Sequence, residues 1–469
     1  MRFISFLLPL FCFALLSMQA VAQENEKNVI KPLTLGQALQ YTYQNNPEIQ
    51  AARVQFSSVA ENISQALAKR RPVLNGSAGV DAERSDTQGA AFVTGRTDNV
   101  SKDYGVTLEQ PLFRGFRNFN EPEAAKLLTQ SQKYALIAIE NDVLQRAVQA
   151  YMDLNLAQSL VDLNDSNVEL LSKQLEAAQA RFDVGELSRT DVAQARARYA
   201  GAKADLVAAK GRMKTAQTVF QRVIGLPVND LVVENAIDLP VPADLSDVLE
   251  IASRESPELL SIGYAHRAAE KDIESVFGEL WPTISIQGQY GKAYDTASGA
   301  IKESEQGVIG LRATIPLYQG GATRSRIRQS KYDAQQLLMQ ARDVERSVRQ
   351  AVTEDWESLL SAQAEIESRS LQVDAANIAR EGTYEEALLG ERTVLDSLDA
   401  DQDLLSASVD LATARRNEIV ARFSLAAELG LLQPDKVAFL SGRTNYDEIM
   451  KKAGRKLFST DIEDISIRK

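Results

Sequence analysis

In the sequence SPELLSIGYAHRAAEKDIESVFGELWPTISIQGQYG, Ser256–Gly291, the spacing of apolar residues changes at Pro282. Before Pro282 the chain is rich in Ala, Glu and Leu, which favours a helix. Proline, together with the restriction on the residue before it, ends that helix. After Pro282, the apolar residues Ile284, Ile286 and Tyr290 alternate with polar ones, which indicates a strand with one apolar face. The stretch therefore predicts a helix that leads directly into a β-strand.

The same pattern occurs earlier in the chain. NPEIQAARVQFSSVAENISQALAKRRP (46–72) aligns with 256–282 at an offset of 210, and QPLFRG (110–115) aligns with IPLYQG (315–320) at an offset of 205. Such internal similarity indicates one structural unit used twice. The predicted organisation is a first structural repeat at 23–225, a connection at 226–256, a second structural repeat at 257–432 and a polar C-terminal tail at 433–469.

Each repeat is predicted to contain a β-hairpin, at about 72–113 and about 282–317. Strands of about ten residues are indicated at 103–112, 282–291 and 308–317, and more weakly at 71–80. Ten residues suffice to cross a bilayer as a tilted strand, although a soluble half-buried hairpin has the same pattern. The intervening segments, 83–102 and 292–306, are polar and are predicted to be exposed loops.

The longest predicted helices follow the hairpins, from about Phe119 to Phe182 and from about Ala322 to Leu389. Each has about 65 residues, or roughly 100 Å at the rise of an α-helix. Shorter helices are predicted at 36–70, 258–280, 189–224 and 394–429. An apolar stripe with 3/4 spacing on the first long helix is typical of coiled coils. Each repeat therefore predicts a rod in which one long helix lies beside two shorter stacked ones.

Residues 1–22 have the pattern of a secretory signal peptide, with Arg2, an apolar run and an A-x-A site at Ala20 and Ala22. Cys12 lies inside the apolar run, so a lipoprotein interpretation is weaker. Because Cys12 is the only cysteine, cleavage leaves no disulfide or cysteine metal site. No later run of eighteen apolar residues occurs, so we expect any membrane crossing to use a closed β-barrel.

Charge and composition argue against nucleic-acid binding and catalysis. The formal net charge is −12, whereas phosphate binding needs clustered Lys and Arg. The single histidine, His266, has no neighbouring Cys or His for a metal and no adjacent nucleophile. No Gly-rich phosphate loop or HExxH motif occurs. We predict no enzyme activity, no cofactor and no structural metal.

Two glycine-led turns, GELSRTDV (185–192) and GERTVLDS (390–397), separate the long helices from the helices that follow. Ser188 with Asp191, and Thr393 with Asp396, have the spacing of capping boxes. Capping does not explain Asp399, which lies three residues after Asp396 on the same helix face. The acids beyond it, Asp401 and Asp403, are predicted to be solvated surface.

The signal peptide, duplicated halves, proline-bounded hairpins and glycine-led turns together resemble the TolC-type outer-membrane channel family, up to about Leu432. The resemblance implies a mainly α fold with membrane β-strands. Duplicated long-helix hairpins would form a homotrimeric α-helical barrel in the periplasm. This barrel would continue into a 12-stranded β-barrel in the lipid of a Gram-negative outer membrane, with four strands per chain.

The turns VGELSRTDV and LGERTVLDSLDA look like the two periplasmic turns of that family. The resemblance implies a pore constriction at Asp396 and Asp399. Two rings of carboxylates around one axis would favour cations, because like charges repel unless cations enter. It also implies gate contacts among Arg392, Thr190 and Asp191, and adaptor docking at the turn residues Gly185, Ser188, Gly390 and Thr393. A tyrosine of the family's closed-state contacts would fall at Ala387 and is missing.

The function implied is that of an outer-membrane exit duct in a tripartite efflux or type I secretion system. Such a duct is a passive gated channel that an inner-membrane transporter, such as an ABC or RND pump, opens through a periplasmic adaptor protein. The alternative is a soluble periplasmic coiled-coil adaptor or structural protein. That alternative explains the long helices and the signal peptide, but it leaves the four alternating strands unexplained.

Overall fold

The structure is a computed structural model that describes residues 33–87, 95–227, 231–232, 239, 242, 244–296, 301–442, 444–455 and 459–462. The predicted signal peptide, 1–22, lies outside the described residues. The first half contains β1 (Leu33–Thr34), α1 (Leu35–Asn45), α2 (Pro47–Ala68), β2 (Val73–Thr87), β3 (Gly95–Arg114), α3 (Arg117–Asp183), α4 (Arg189–Ile224) and β4 (Leu231–Val232). The second half contains α5 (Leu245–Glu255), α6 (Pro257–Phe277), a 3-10 turn (Gly278–Leu280), β5 (Thr283–Thr296), β6 (Ile301–Thr314), α7 (Ala322–Leu388), α8 (Val394–Glu428) and α9 (Tyr446–Ala453).

The two long helices are confirmed, and α3 and α7 each have 67 residues. Helix α3 packs along α4, and α7 packs along α8. The predicted stripe on α3 faces inward, since Val143, Ala147, Leu154 and Ala178 are buried. Within the described ranges, no helix is both long and apolar enough to pass through a membrane.

The prediction of one continuous helix over 36–70 is wrong, because the structure has two helices there, α1 and α2. The Asn46 side-chain Oδ1 accepts a hydrogen bond from the backbone N–H of Glu48 at 2.8 Å, and Pro47 is the first residue of α2. Proline lacks an N–H and is tolerated at that first position, so the chain can restart a helix there. The same break occurs at Pro257 between α5 and α6. Helix α5 therefore lies inside the segment 226–256 that was predicted as a connection.

Four antiparallel strands form one sheet in the order β2-β3-β5-β6. The strands have 15, 20, 14 and 14 residues, so they are longer than the predicted ten. The predicted loops at 83–102 and 292–306 are mostly strand, and only 88–94 and 297–300 lie outside the described residues. Cross-strand ion pairs explain how such polar sequence remains paired: Arg84 Nε lies 2.6 Å from Asp98 Oδ1. Two further residue pairs join β1 and β4 in parallel.

The largest hydrophobic core lies where the two halves meet, between α1, α3, α4, α5, α7 and α8. Its fully buried side chains include Leu39, Tyr43, Leu144, Tyr151, Phe220, Val248, Val352, Phe423 and Leu432. A second, smaller cluster near the glycine-led turns comprises Leu171, Ala178, Val192, Ala195, Ala202 and Leu398. We call this second group the turn cluster.

The segment 433–469, predicted as a polar tail, contains the ordered helix α9. Tyr446 of α9 packs against Phe56 and Leu136. Its hydroxyl donates a hydrogen bond of 2.7 Å to Glu140 Oε1, which also accepts from Arg53 Nη2 at 2.8 Å. The C-terminal segment therefore contributes to the packing of α2 on α3.

Candidate functional site

The two turns between paired helices close in the same way. Gly185 and Gly390 have φ values of +85° and +80°, the left-handed region that glycine adopts without steric cost. After each glycine, the next backbone N–H reaches back into the preceding helix. Glu186 N donates to Arg181 O and Glu391 N donates to Glu386 O, both at 2.9 Å. These bonds end α3 and α7 and allow the chain to reverse direction.

Both predicted capping boxes are present. Asp191 N donates to Ser188 Oγ, and Asp396 N donates to Thr393 Oγ1, both at 3.2 Å. In return, Asp191 Oδ2 accepts from Ser188 N at 2.9 Å, and Asp396 Oδ2 accepts from Thr393 N at 3.0 Å. These pairs satisfy backbone donors that have no partner inside α4 and α8.

Capping also affects the charge of Asp396. The hydrogen bond from the Thr393 hydroxyl, followed by the one from the Thr393 backbone N–H, lowers the pKa of the Asp396 carboxyl. Hydrogen bonds to the charged form of a carboxyl favour ionisation. Asp191 has its pKa lowered in the same way by Ser188. Asp396, which is half-buried, is therefore both a helix cap and a negative charge fixed at the turn.

Asp399 has a different partner, which lies on the other half of the chain. Its Oδ1 accepts a hydrogen bond of 2.6 Å from Arg198 Nη2 on α4. Both side chains remain about half exposed, at 43% for Arg198 and 53% for Asp399. Arg198 could not be predicted from the sequence, because no local pattern connects two residues that are 201 positions apart.

The prediction that Asp401 is solvated surface is wrong. Asp401 is only 6% exposed, and its Oδ2 accepts a hydrogen bond from Gln174 Nε2 of α3. Burial raises the pKa of the Asp401 carboxyl. Leu398, three residues earlier on the same helix face, belongs to the turn cluster, so this face of α8 packs on α3 and α4. Asp403 is exposed, as predicted.

The three predicted gate residues are not brought together within one chain. Arg392 Nε donates to Glu386 Oε2 at 3.0 Å, Asp191 caps α4, and Thr190 is exposed. Ala387 is half-buried near the end of α7. The predicted contacts join neighbouring turns, so they remain a prediction about more than one copy.

Other candidate sites are few in the part of the chain that the structure describes. His266 is half-buried on α6. No group of three or more His, Cys, Asp or Glu residues is arranged to hold a metal ion there.

Comparison with known proteins identifies the architecture. The family model "Outer membrane efflux protein" matches residues 38–226 and 248–431. The chain is 31% identical over 431 residues to the outer membrane efflux protein BepC of Brucella suis biovar 1 (strain 1330), covering 92% of each chain. It is 23% identical to the outer membrane protein TolC of Escherichia coli (strain K12), covering 87% of this chain and 84% of TolC.

Solved structures agree on the fold. The crystal structure of the Campylobacter jejuni CmeC outer membrane channel superposes with a TM-score of 0.77 at 15% identity. The match covers 90% of this chain and 89% of CmeC. The observed four-stranded sheet and paired long helices are thus the fold of outer-membrane channels, which the soluble coiled-coil alternative does not explain. The chain belongs to the outer membrane efflux protein family, a family of channel proteins, and is an outer-membrane exit duct for efflux or type I secretion.

Proposed function

We propose that three copies of this chain form a passive, gated duct through the outer membrane. One chain has a four-stranded sheet with two open edges, β2 and β6. An open edge in lipid leaves backbone N–H and C=O groups without partners, which is too costly to persist. Three copies that pair β2 of one with β6 of the next would supply twelve strands and remove every edge. The long helices would then continue the duct into the periplasm.

The turns between paired helices form the periplasmic end of this duct. Helix α3 separates the sheet from the first turn by 67 residues, or roughly 100 Å. Around a threefold axis, Asp396 and Asp399 would supply six carboxylates to one constriction. Asp399 is exposed, and the half-buried Asp396 carboxyl has a lowered pKa that favours its charged form, so these rings should select cations and bind multivalent ones.

The closed state is held by contacts between neighbouring turns, in which Arg392 of one turn meets Thr190 and Asp191 of another. Supporting this proposal, Arg392 and Thr190 are exposed, and the carboxylate of Asp191 has a lowered pKa. A double-mutant cycle on Arg392 and Asp191 tests the contact. We expect channel opening in the double mutant to be less than the product of the two single effects; independent effects would contradict the contact.

The duct works with two partners that supply recognition and energy. A periplasmic adaptor protein docks at the two turns, where Gly185, Ser188, Gly390 and Thr393 set the backbone shape. An inner-membrane transporter of the ABC or RND type drives the substrate through the adaptor into the duct. The matched repeat geometry of the two turns supports adaptor docking, because each turn presents the same capped and reversed backbone.

The observation that carries the proposal is the combination of a sheet with open edges at one end of 67-residue helices and the acids Asp396 and Asp399 at the other. The test is single-channel current from detergent-purified protein in a planar bilayer, with a trivalent cation added on the side of the turns. We expect discrete cation-selective steps that the trivalent ion blocks, and loss of block in Asp396→Ala/Asp399→Ala. Asp403→Ala, which removes an exposed acid from the same helix, should retain the block.

Two other results would change the proposal. Single-channel steps that the trivalent cation does not block would support the duct but contradict the carboxylate rings. The absence of any steps from folded protein would overturn the duct.

A further inference from the structure

We propose that Arg198 is a gating residue: its ion pair with Asp399 joins the two helical turns of one subunit and neutralises Asp399 until the turns separate. This proposal rests on the proposed function, because it assigns a regulatory contact to the same constriction. We call the contact the α4–α8 latch, and it consists of Arg198 and Asp399.

The latch lies beside the place where α8 packs against the first half of the chain. Leu398 is 2% exposed and sits in the turn cluster with Val192 and Ala195 of α4. Asp401, one turn further along α8, accepts its hydrogen bond from Gln174 of α3. Asp399 lies between these two anchors in the sequence, and its carboxylate accepts a hydrogen bond of 2.6 Å from Arg198 of α4.

The latch is the ion pair that connects the two halves of the turn region. Among the ion pairs of the described residues there, Arg181 with Glu186 and Arg392 with Glu386 each remain within one half. Those pairs can persist when the two turns move apart as rigid units. The 2.6 Å contact between Arg198 and Asp399 cannot persist, because its partners belong to α4 and α8. Separating the turns therefore requires breaking this pair.

The two predicted carboxylate rings consequently differ in their response to opening. Asp396 is bound by Thr393 of its own helix, so its charge does not depend on where α4 lies. Asp399 is compensated by a guanidinium only while α4 and α8 are in contact. Opening would expose one additional uncompensated carboxylate per subunit, and cation selectivity should rise with opening.

One exposed ion pair is weak, since both side chains here are about half exposed. Three such pairs around one axis break together when the duct opens, so their effects on the opening equilibrium multiply. Removing the guanidinium should raise the fraction of time spent open by roughly tenfold, given the usual size of exposed pairs. It should also lower the concentration of trivalent cation needed for block, because Asp399 no longer has an internal counter-ion.

The test uses the full-length protein in a planar bilayer and compares Arg198→Ala with Arg196→Ala. Arg196 is an exposed arginine on the same helix, and no ion pair of it is found among the described residues, so its removal changes the net charge equally. We expect Arg198→Ala alone to raise the open fraction and strengthen the block. Arg198→Ala/Asp399→Ala should open no more than Asp399→Ala, and the exchange Arg198→Asp/Asp399→Arg should restore wild-type opening.

Several results overturn the latch. If Arg198→Ala and Arg196→Ala behave alike, or if the Arg198 and Asp399 effects multiply independently, the latch is wrong while the duct stands. If the wild-type protein forms no channel, both proposals fail together.

A second measurement does not depend on current. Arg198→Cys/Asp399→Cys introduces two thiols into a chain whose one cysteine, Cys12, lies in the predicted signal peptide. A short bis-maleimide should join the two thiols within one chain, so the denatured product should migrate as a single chain in which neither thiol remains free to react with a second maleimide probe. Cross-linked dimers or trimers on the denaturing gel would instead place the contact between subunits and overturn the latch as proposed.

Discussion

Arg53 and Glu140 form an ion pair that is almost fully removed from solvent, with side-chain exposures of 0% and 2%. The guanidinium also lies 4.5 Å from the centre of the Tyr43 ring. Burying two charges is costly unless hydrogen bonds satisfy them. The Tyr446 hydroxyl supplies one such bond to Glu140, so a residue near the C-terminus completes a site formed by α2 and α3.

Removal of the Tyr446 hydroxyl should destabilise the folded subunit. Tyr446→Phe retains the ring but takes a donor away from a buried carboxylate, and we expect a loss of about 1–3 kcal/mol. The thermal unfolding midpoint of the detergent-purified protein measures this loss. Tyr332→Phe, at a tyrosine that is 69% exposed, is the matched control and should leave the midpoint unchanged. Equal midpoints for both variants would contradict the role of Tyr446.

Glu428, the last residue of α8, lies among acids from three other helices. Burial, together with the charges of Asp355, Glu258 and Asp142, raises the pKa of the Glu428 carboxyl to about 7. The close approach of the chain at this point explains the crowding: a Cβ added at Gly430 would lie 2.9 Å from Pro257 Cδ. The end of α8 is therefore pressed against the start of α6.

This raised pKa predicts a pH-dependent stability. The folded state favours protonated Glu428, so folding is penalised as pH rises from about 4.5, the ordinary value, through about 7. Glu428→Gln should stabilise the protein at pH 8 by on the order of 1–3 kcal/mol, with the gain disappearing as pH falls towards 4.5. Unfolding midpoints across this range measure the effect. Glu357→Gln, at an exposed glutamate of α7, provides the comparison and should show no such trend.

The two halves differ at the junction between the second strand of each hairpin and the long helix that follows it. Gly115 and Gly320 are equivalent at an offset of 205 and have nearly equal φ values of +61° and +60°. A Cβ at Gly115 would lie 2.0 Å from Gly278 O, whereas a Cβ at Gly320 would meet nothing within 4 Å. Position 115 therefore requires glycine for two reasons: its φ value is positive, and the backbone of Gly278 leaves no room for a Cβ.

Gly115 and Gly320 provide a matched test of the close contact between the backbones at Gly115 and Gly278. Gly320→Ala should cost only about 1–2 kcal/mol, the usual penalty of a left-handed backbone for a residue with a Cβ. Gly115→Ala adds a collision with the backbone of Gly278, so we expect little folded protein to accumulate in the outer membrane. The amount of folded protein in membrane fractions, measured for both variants, tests this difference. Similar amounts would show that the junction can relax around the added carbon.

The two faces of the sheet indicate how a single chain would be oriented in the wall of the complete duct. On β6, Ile309 and Leu311 lie on the apolar face, while Val308 and Arg312 lie on the opposite face. Ile309 is 77% exposed and Val308 is 53% exposed in one chain. In a closed barrel the apolar face contacts lipid and the other faces the interior.

Ile309→Arg should therefore impair insertion into the outer membrane, because an arginine on the lipid face costs about 2–4 kcal/mol near the bilayer centre. Val308→Arg places the same charge one residue away on the interior face and should insert normally. Heat-modifiable migration on gels and recovery from outer-membrane fractions report insertion. Equal insertion of both variants would contradict the assignment of the two faces.

Much of this architecture could be predicted from local sequence. The bounds of α3, α4, α7 and α8, the two glycine-led reversals and both capping boxes were all predictable, because each depends on residues within a few positions of one another. Strand length was underestimated for a similar reason. Alternating polarity marks only the part of a strand that contacts lipid, whereas the strand ends are paired through polar residues such as Arg84 and Asp98.

Other features depend on residues that are distant along the chain and meet only when α8 and α9 pack on the first half. Arg198 meets Asp399 across 201 positions, Gln174 meets Asp401 across 227, and Glu140 meets Tyr446 across 306. No local pattern can indicate which acid will be buried, paired or left exposed. Of three acids in one short stretch, Asp396 is a helix cap that local spacing predicts, whereas packing makes Asp399 an ion-pair partner and Asp401 a buried acceptor. Their chemistry follows from the helix face that each occupies and from what packs against that face.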